Sequence, residues 1–482
     1  MKTQEFFRLP YSLISNPFYL FILCVTSRLI TSINYIEDID SMRFALSLFD
    51  YDILELRPHF PGYPIFCFFA KTIYLLIGSV QMTFSIIGGI ATFLIIYYSN
   101  LICELITNKK SYYLSVLIFL NPLIWNLGNR YMSDLFGLSL LIIVTYFFFS
   151  SINLKNRKQL IIAFFLVGIL SGVRISFLPF SIPFILYVFF QSQLNFIKSS
   201  FIMLAGVMVW MIPLVFLTGF ENLYEVSINH ISGHFFKWGG SVITSNFSIL
   251  DRLLKIIESI WADGMGGFWK GRSPLTLVLS FGWIFFIYSF LKAKNITTDN
   301  RKILINLLIA SILVYFVWIL LFQNVVYKPR HIIPFLPFIL MLSSVGLNSV
   351  ISQIQFHRIL IYPFIFCLFI VTTYLNWQHK SPSAICQVKS YVYDDNSIMK
   401  IFCSSSIVNS YLKKHKGSEN IIFLNENNSV GIKRYYNMGY TIYSTKSLKD
   451  LNMTIKFQNN FYHNPYVNRL WSTMRIYKYN KH

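Results

Sequence analysis

The chain has 482 residues, 55% of them hydrophobic and 13% charged, and its 41 Lys and Arg outweigh 20 Asp and Glu for a formal net charge of +21. A soluble chain would carry about a quarter charged residues to cover its surface, so a water-soluble enzyme is excluded. Nucleic acid is excluded as well, because the Lys and Arg sit in short loops and in the C-terminal region and form no single basic stripe.

Apolar runs able to cross a bilayer core of about 30 Å recur at 17–34, 62–79, 83–103, 111–127, 132–150, 159–175, 177–192, 200–218, 273–291, 303–322, 331–349 and 359–376. With no water to satisfy backbone groups there, these runs must be helices. The first has no cleavage site and reads as a retained helix rather than a removable signal. The 48 Phe and 30 Tyr suit lipid-facing and interfacial surfaces.

Basic connectors at Lys109–Lys110, at Lys155, Arg157 and Lys158, at Lys198, at Lys292–Lys302 and at Arg358 read as inside loops. The loops 128–131, 219–272 and 323–330 and the tail from 377 then fall outside. Lys2 and Arg8 put the N-terminal end inside and 35–61 outside, but two full crossings after that would strand Lys109 and Lys110 on the wrong face. A re-entrant or interfacial 62–79, opened by Pro61-Gly62-Tyr63-Pro64, removes the conflict and leaves about eleven spans.

From Gln378 polar residues and turn signals take over. The segments 398–403 and 420–424 predict strands and 405–415 a helix, a βαβ-like unit. The expected fold is an α-helical polytopic membrane domain over 1–376 followed by a small basic α/β extracytoplasmic domain over 377–482. The six cysteines have no metal-ligand spacing. Cys24, Cys67, Cys103 and Cys367 lie in or beside apolar runs, as small hydrophobes. Cys386 and Cys403 share the tail and could form a disulfide in an oxidising compartment.

Chemistry concentrates just after the first span. Glu37, Asp38 and Asp40 cluster there in a chain poor in acids. Acids at a membrane boundary need a partner: a cation, an Arg or a substrate hydroxyl. Such a carboxylate can deprotonate an acceptor hydroxyl, and Asp38 with Asp40 could hold a divalent cation, Mg or Mn, against a donor phosphate. A solvated acidic loop that helps topology is the alternative. In Leu56-Arg57-Pro58-His59-Phe60-Pro61-Gly62-Tyr63-Pro64 the prolines and glycine stiffen a turn, where Arg57 and His59 can meet a phosphate or a sugar hydroxyl.

This order resembles the GT-C superfamily of membrane glycosyltransferases: an acidic cluster with Asp40-Ser41, then Phe44-Ala45-Leu46, then His59-Phe60-Pro61-Gly62-Tyr63-Pro64. The likeness is greatest to the bacterial branch of protein O-mannosyltransferases and lipid A aminoarabinose transferases, where a proline usually stands in place of Phe60. Weaker likenesses follow in Asn121-Pro122, in Arg130-Tyr131-Met132-Ser133-Asp134, in Gly172-Val173-Arg174, and in Lys328-Pro329-Arg330-His331.

The resemblance implies inverting transfer of a sugar from a polyprenyl-phosphate donor, on the outer face of the plasma membrane, to an envelope glycan, lipid or protein. It makes Asp40 the candidate base, with Glu37 and Asp38 orienting the acceptor or holding the cation. Lys328, Arg330 and His331 become candidates for the donor phosphate, since charge-assisted bonds stabilise a leaving phosphate, and Asp134 and Arg174 become candidates for substrate binding. Lys328 and Arg330 could equally anchor lipid headgroups, and Arg174 could snorkel at a helix end.

In the loop 219–272, His230 and His234 would share a helix face and could bind a metal, although Gly233 weakens that helix. The Trp261–Trp269 stretch could form a sugar platform or an interfacial belt. A transporter or flippase should show broken helices at the midplane and an internal repeat; neither is visible, which favours the enzyme. A polysaccharide polymerase or ligase of related fold stays open.

Overall fold

The computed structural model describes residues 16–191, 195–238, 240–292, 299–353, 357–397 and 399–480. Lys2 and Arg8, on which the inside N-terminal end rests, lie outside the described residues. The chain divides into two units: residues up to Ser32 with Phe60–Asn376, and Ile33–His59 with residues from Trp377 on.

The first unit is helical, and local chemistry sets where its helices start. Helix α1 (Pro17–Ile30) opens on Asn16, whose side chain accepts from the Phe18 N–H, with Pro17 at the first turn. After α2 (Ile39–Ser47), which belongs to the other unit, come α3 (Pro64–Ile77), α4 (Val80–Thr107), α5 (Tyr112–Phe119) and α6 (Pro122–Asn129). Next follow α7 (Asp134–Leu154), α8 (Arg157–Arg174), α9 (Ile182–Phe190) and α10 (Phe196–Thr218). The remaining helices of this unit are α11 (Phe220–Phe236), α12 (Ile249–Glu258), α13 (Thr276–Lys292), α14 (Asp299–Phe322), α15 (Leu336–Gln353) and α16 (His357–Lys380), whose last residues enter the second unit.

Among the described residues seven helical segments are long and apolar enough to cross a bilayer, and Pro17–Ile30, Pro64–Ile77 and Thr276–Lys292 are shorter apolar helices. The chain is therefore a multi-pass membrane protein. Two expected boundaries need correction. The run 111–127 is no single span, because Asn121 caps a new helix and Pro122 has no N–H to continue the old one, which divides it into α5 and α6. The runs 159–175 and 177–192 join into one apolar segment, Arg157–Phe190, through a 3₁₀ turn at Ile175–Ser181 that absorbs Pro179.

Helices α8 and α10 approach through glycine. A Cβ on Gly168 would lie 2.2 Å from the Met203 carbonyl oxygen, and one on Gly206 would lie 2.2 Å from that of Phe165. Small residues allow such backbone approach where lipid tails offer no hydrophobic drive. In the Trp-rich stretch residues 262–267 are buried, whereas Trp261 and Trp269 at its ends are only partly so and Phe268 is exposed. The Asn121 side chain donates to the Gly264 carbonyl (2.7 Å) and the Trp283 indole to that of Met265 (2.8 Å), so the segment packs as a plug.

The second unit is built on a sheet in the order β2-β1-β3-β5-β4. Strands β1 (Lys400–Ser404), β2 (Ile421–Asn425) and β3 (Thr441–Ser444) run parallel, with β1 central. Strands β4 (Ile455–Tyr462) and β5 (Thr473–Tyr479) add antiparallel. Its helices are α17 (Ala384–Tyr393), α18 (Ser406–Leu412) and α19 (Ser429–Asn437). The expected βαβ unit is thus present, inside a larger sheet.

Strand alternation settles the cysteines. Ile401, Cys403 and Ile442 point to one face and pack with Ile432 of α19. Tyr443 points to the other, where its ring meets Tyr391 of α17, the helix that carries Cys386. The two thiols are therefore free, on opposite sides of the sheet, and the expected disulfide is not formed.

Candidate active site

In the second unit, the acidic loop is held residue by residue. Asp38 caps α2: its Oδ1 accepts from the Ser41 N–H at 2.8 Å. Asp40 sits in the first turn of that helix, where the dipole favours a carboxylate, 3.3 Å from the Arg43 guanidinium. It is 3% exposed.

Glu37 is fully buried and its Oε1 lies 2.8 Å from the His379 Nε2. Arg57 closes its own loop, 2.7 Å from Asp50 and paired through the backbone with Asp52. His59 is half-buried with its ring edge against Phe44.

The fit to a divalent cation is poor. Among the described residues no three His, Cys, Asp or Glu side chains converge as a metal site, and one oxygen of Asp38 is committed to the helix cap. His230 and His234 do lie on one helix, α11, with stacked rings 6.4 Å apart, but among the described residues no third His, Cys, Asp or Glu joins them. Burial is the main influence that lowers the His234 imidazole below its usual range.

In the first unit the structure brings five expected residues together. Asp134 opens α7, and its Oδ1 lies 2.7 Å from Arg174 Nη2 and 3.5 Å from Arg330 Nε. Asp134, Arg174 and Arg330 are at most 5% exposed. The charges of Arg330, Arg174 and Lys328 all act on the His331 ring, so the group is one electrostatic neighbourhood. One buried carboxylate thus faces two buried guanidiniums.

Two features fix the arginines. Arg174 ends α8, and its guanidinium lies over the Tyr63 ring (5.7 Å), a residue held in the left-handed region (φ 48°). Arg330 sits in the 3₁₀ turn Pro329–Phe335, where Tyr315 donates its hydroxyl to the His331 carbonyl at 3.0 Å.

Several partners were not visible in the sequence. Tyr63 and Tyr315 are ordinary aromatics in an aromatic-rich chain, and His379 reads as the polar end of a span. Arg28, buried in α1 with its guanidinium 4.0 Å from the Trp125 ring, gave only the signal of a charge inside an apolar run. The Asp263–Arg272 pair (3.8 Å) needed the folded loop to bring its members together.

No protein-family model matches the sequence, and no curated relative matches it. Its structure is similar to that of ArnT from Cupriavidus metallidurans bound to undecaprenyl phosphate, with a TM-score of 0.59 at 10% identity over 95% of this chain and 97% of that one. The apo state of the same protein gives a TM-score of 0.54, at 10% identity with the same coverage. ArnT is an aminoarabinose transferase of the GT-C superfamily. The chain therefore shares the fold of ArnT over nearly its whole length.

Proposed function

We propose that this protein transfers a sugar from a polyprenyl-phosphate donor to an acceptor of the cell envelope, at the outer face of the plasma membrane and with inversion at the anomeric carbon. The observation that carries the reading is the buried Arg174–Asp134–Arg330 group. Two guanidiniums gathered in a buried site can give charge-assisted hydrogen bonds to a phosphate, and the similar ArnT structure holds undecaprenyl phosphate.

The chemistry divides by residue. Asp40 accepts the proton of the acceptor hydroxyl, whose oxygen forms the new bond to the anomeric carbon. The bond from that carbon to the donor phosphate breaks, and the polyprenyl phosphate leaves with the electron pair. Arg174 and Arg330 stabilise the phosphate as its charge grows, with Lys328 adding a third cation. Asp134 keeps the two guanidiniums apart and oriented. The acceptor class is an envelope glycan, lipid or protein.

Transfer from a labelled polyprenyl-phosphate sugar by the purified protein in lipid nanodiscs tests this. Asp40→Asn keeps size and removes the proton acceptor, so turnover falls by a factor on the order of 10²–10⁴. Normal turnover in that variant removes Asp40 as base. Envelope glycans unchanged in a deletion strain, with no transfer by the wild-type protein, overturn the reading as a whole.

A further inference from the structure

The acidic loop, residues 33–59, belongs to the same compact unit as the C-terminal sheet although more than 300 residues separate them in sequence. Three of the contacts that join them fall on two consecutive residues. Ser383 donates its hydroxyl to the Ile36 carbonyl at 2.5 Å, and Asn468 donates its Nδ2 to the Glu37 carbonyl at 2.6 Å. His379 meets the Glu37 carboxylate at 2.8 Å.

Glu37, Asn468 and His379 are each 0% exposed. Ser383 caps α17 by accepting from the Cys386 N–H, so its anchor on Ile36 is fixed to the start of a helix. Helix α18 packs on α2, and the Lys414 ammonium lies 4.4 Å from the Phe49 ring just past the end of that helix.

A carboxylate with no exposed surface, bonded to a buried imidazole, is poorly placed to touch substrate. It is well placed to hold a backbone. The anchored residue Glu37 is followed at once by Asp38, the cap of α2, and then by Asp40 in its first turn. Any shift at the anchor passes along one rigid turn of helix to the base.

We propose that the C-terminal unit is a positioning device for the acidic loop: His379, Ser383 and Asn468 are positioning residues, and Glu37 is their buried anchor rather than a reacting carboxylate. This gives the C-terminal unit a function in the reaction. The catalytic part of the inference rests on the transferase reading above; the anchoring part does not.

Misplacing a reacting group by about 1 Å can cost on the order of 10²-fold in rate. Glu37→Gln keeps an oxygen and a nitrogen for the His379 ring and retains most of the turnover. Glu37→Ala and Asn468→Ala lose roughly ten- to a hundred-fold in kcat, with the KM for the donor nearly unchanged, because the donor phosphate is bound elsewhere. The double variant Glu37→Ala/His379→Ala loses no more than the worse single one, since both remove the same contact.

A second readout needs no activity. Hydrogen exchange of the amides in 36–47 accelerates in Asn468→Ala and in Glu37→Ala, while exchange in α7 and α8 stays at the wild-type level. Unchanged exchange in 36–47 overturns the anchoring. Accelerated exchange with undiminished kcat overturns the positioning role. A Glu37→Gln variant as inactive as Asp40→Asn makes Glu37 a reacting group and overturns its assignment as anchor. If the wild-type protein transfers no sugar, the transferase reading fails, and the exchange result still decides the anchor.

Discussion

Removing the carboxylate of Asp134 gives the sharpest check on the buried charge group. Asp134→Asn leaves Arg174, at 2.7 Å, and Arg330, at 3.5 Å, facing a neutral amide. None of the three side chains has more than 6% of its surface exposed, so water cannot take over the lost charge. Removing one member of a buried pair costs about 3–5 kcal/mol, because the partner stays buried and uncompensated. Here two cations lose the same acid, which points to the upper half of that range.

At about 1.4 kcal/mol per factor of ten, the open or unfolded population rises by a factor on the order of 10³ or slightly more. The assay is thermal unfolding of the purified protein in detergent, with and without a short-chain prenyl phosphate. The variant unfolds well below wild type in the absence of the anion. The prenyl phosphate stabilises the variant more than the wild type, because the anion now replaces the carboxylate that both guanidiniums have lost. An Asp134→Asn protein as stable as wild type refutes the charge reasoning. A destabilised variant that the anion does not rescue refutes the phosphate site and leaves only a structural pair.

Other consequences can be checked directly. Burial pushes the Cys403 thiol up to about 12, so it stays unlabelled by maleimide at pH 7 until the protein unfolds, and peptide mapping without reductant finds no Cys386–Cys403 bond. Burial, reinforced by Lys389, lowers the His415 imidazole below 6.5. Protonation therefore favours the unfolded form: the contribution is whole above pH 6.5 and is lost as the pH falls through the lowered folded value. His415→Gln makes unfolding of the C-terminal unit less sensitive to pH below 6.5; an unchanged pH profile counts against this. An engineered thiol at Ser418 reacts with an impermeant reagent in intact spheroplasts, and protection there places the C-terminal unit inside.

The class of the protein was legible in the sequence because bilayer physics acts on composition: long apolar runs cannot be anything but helices, and short basic loops mark one side. The caps Asn16, Ser79 and Asn156 and the Asn121-Pro122 start satisfy the first N–H groups of their helices from close by, but the apolar runs alone did not mark them. The strands at Lys400–Ser404 and Ile421–Asn425 followed from alternation and turns. Span continuity was less legible, because a 3₁₀ turn can carry Pro179 without ending a segment while Asn121-Pro122 does end one.

Site residues divide along the same line. Types and rough neighbourhoods could be read from residue chemistry: a cluster of acids in one loop, cations beside prolines in another. Their partners could not. Whether Asp134 meets one arginine or two, and whether Glu37 faces substrate or the His379 ring, depends on contacts between segments far apart in sequence. Those contacts are set by the packing of whole elements. Three carboxylates clustered in the sequence thus become a buried partner of His379 (Glu37), a helix cap (Asp38) and a first-turn acid (Asp40), because burial and hydrogen-bond partners are properties of the folded chain alone.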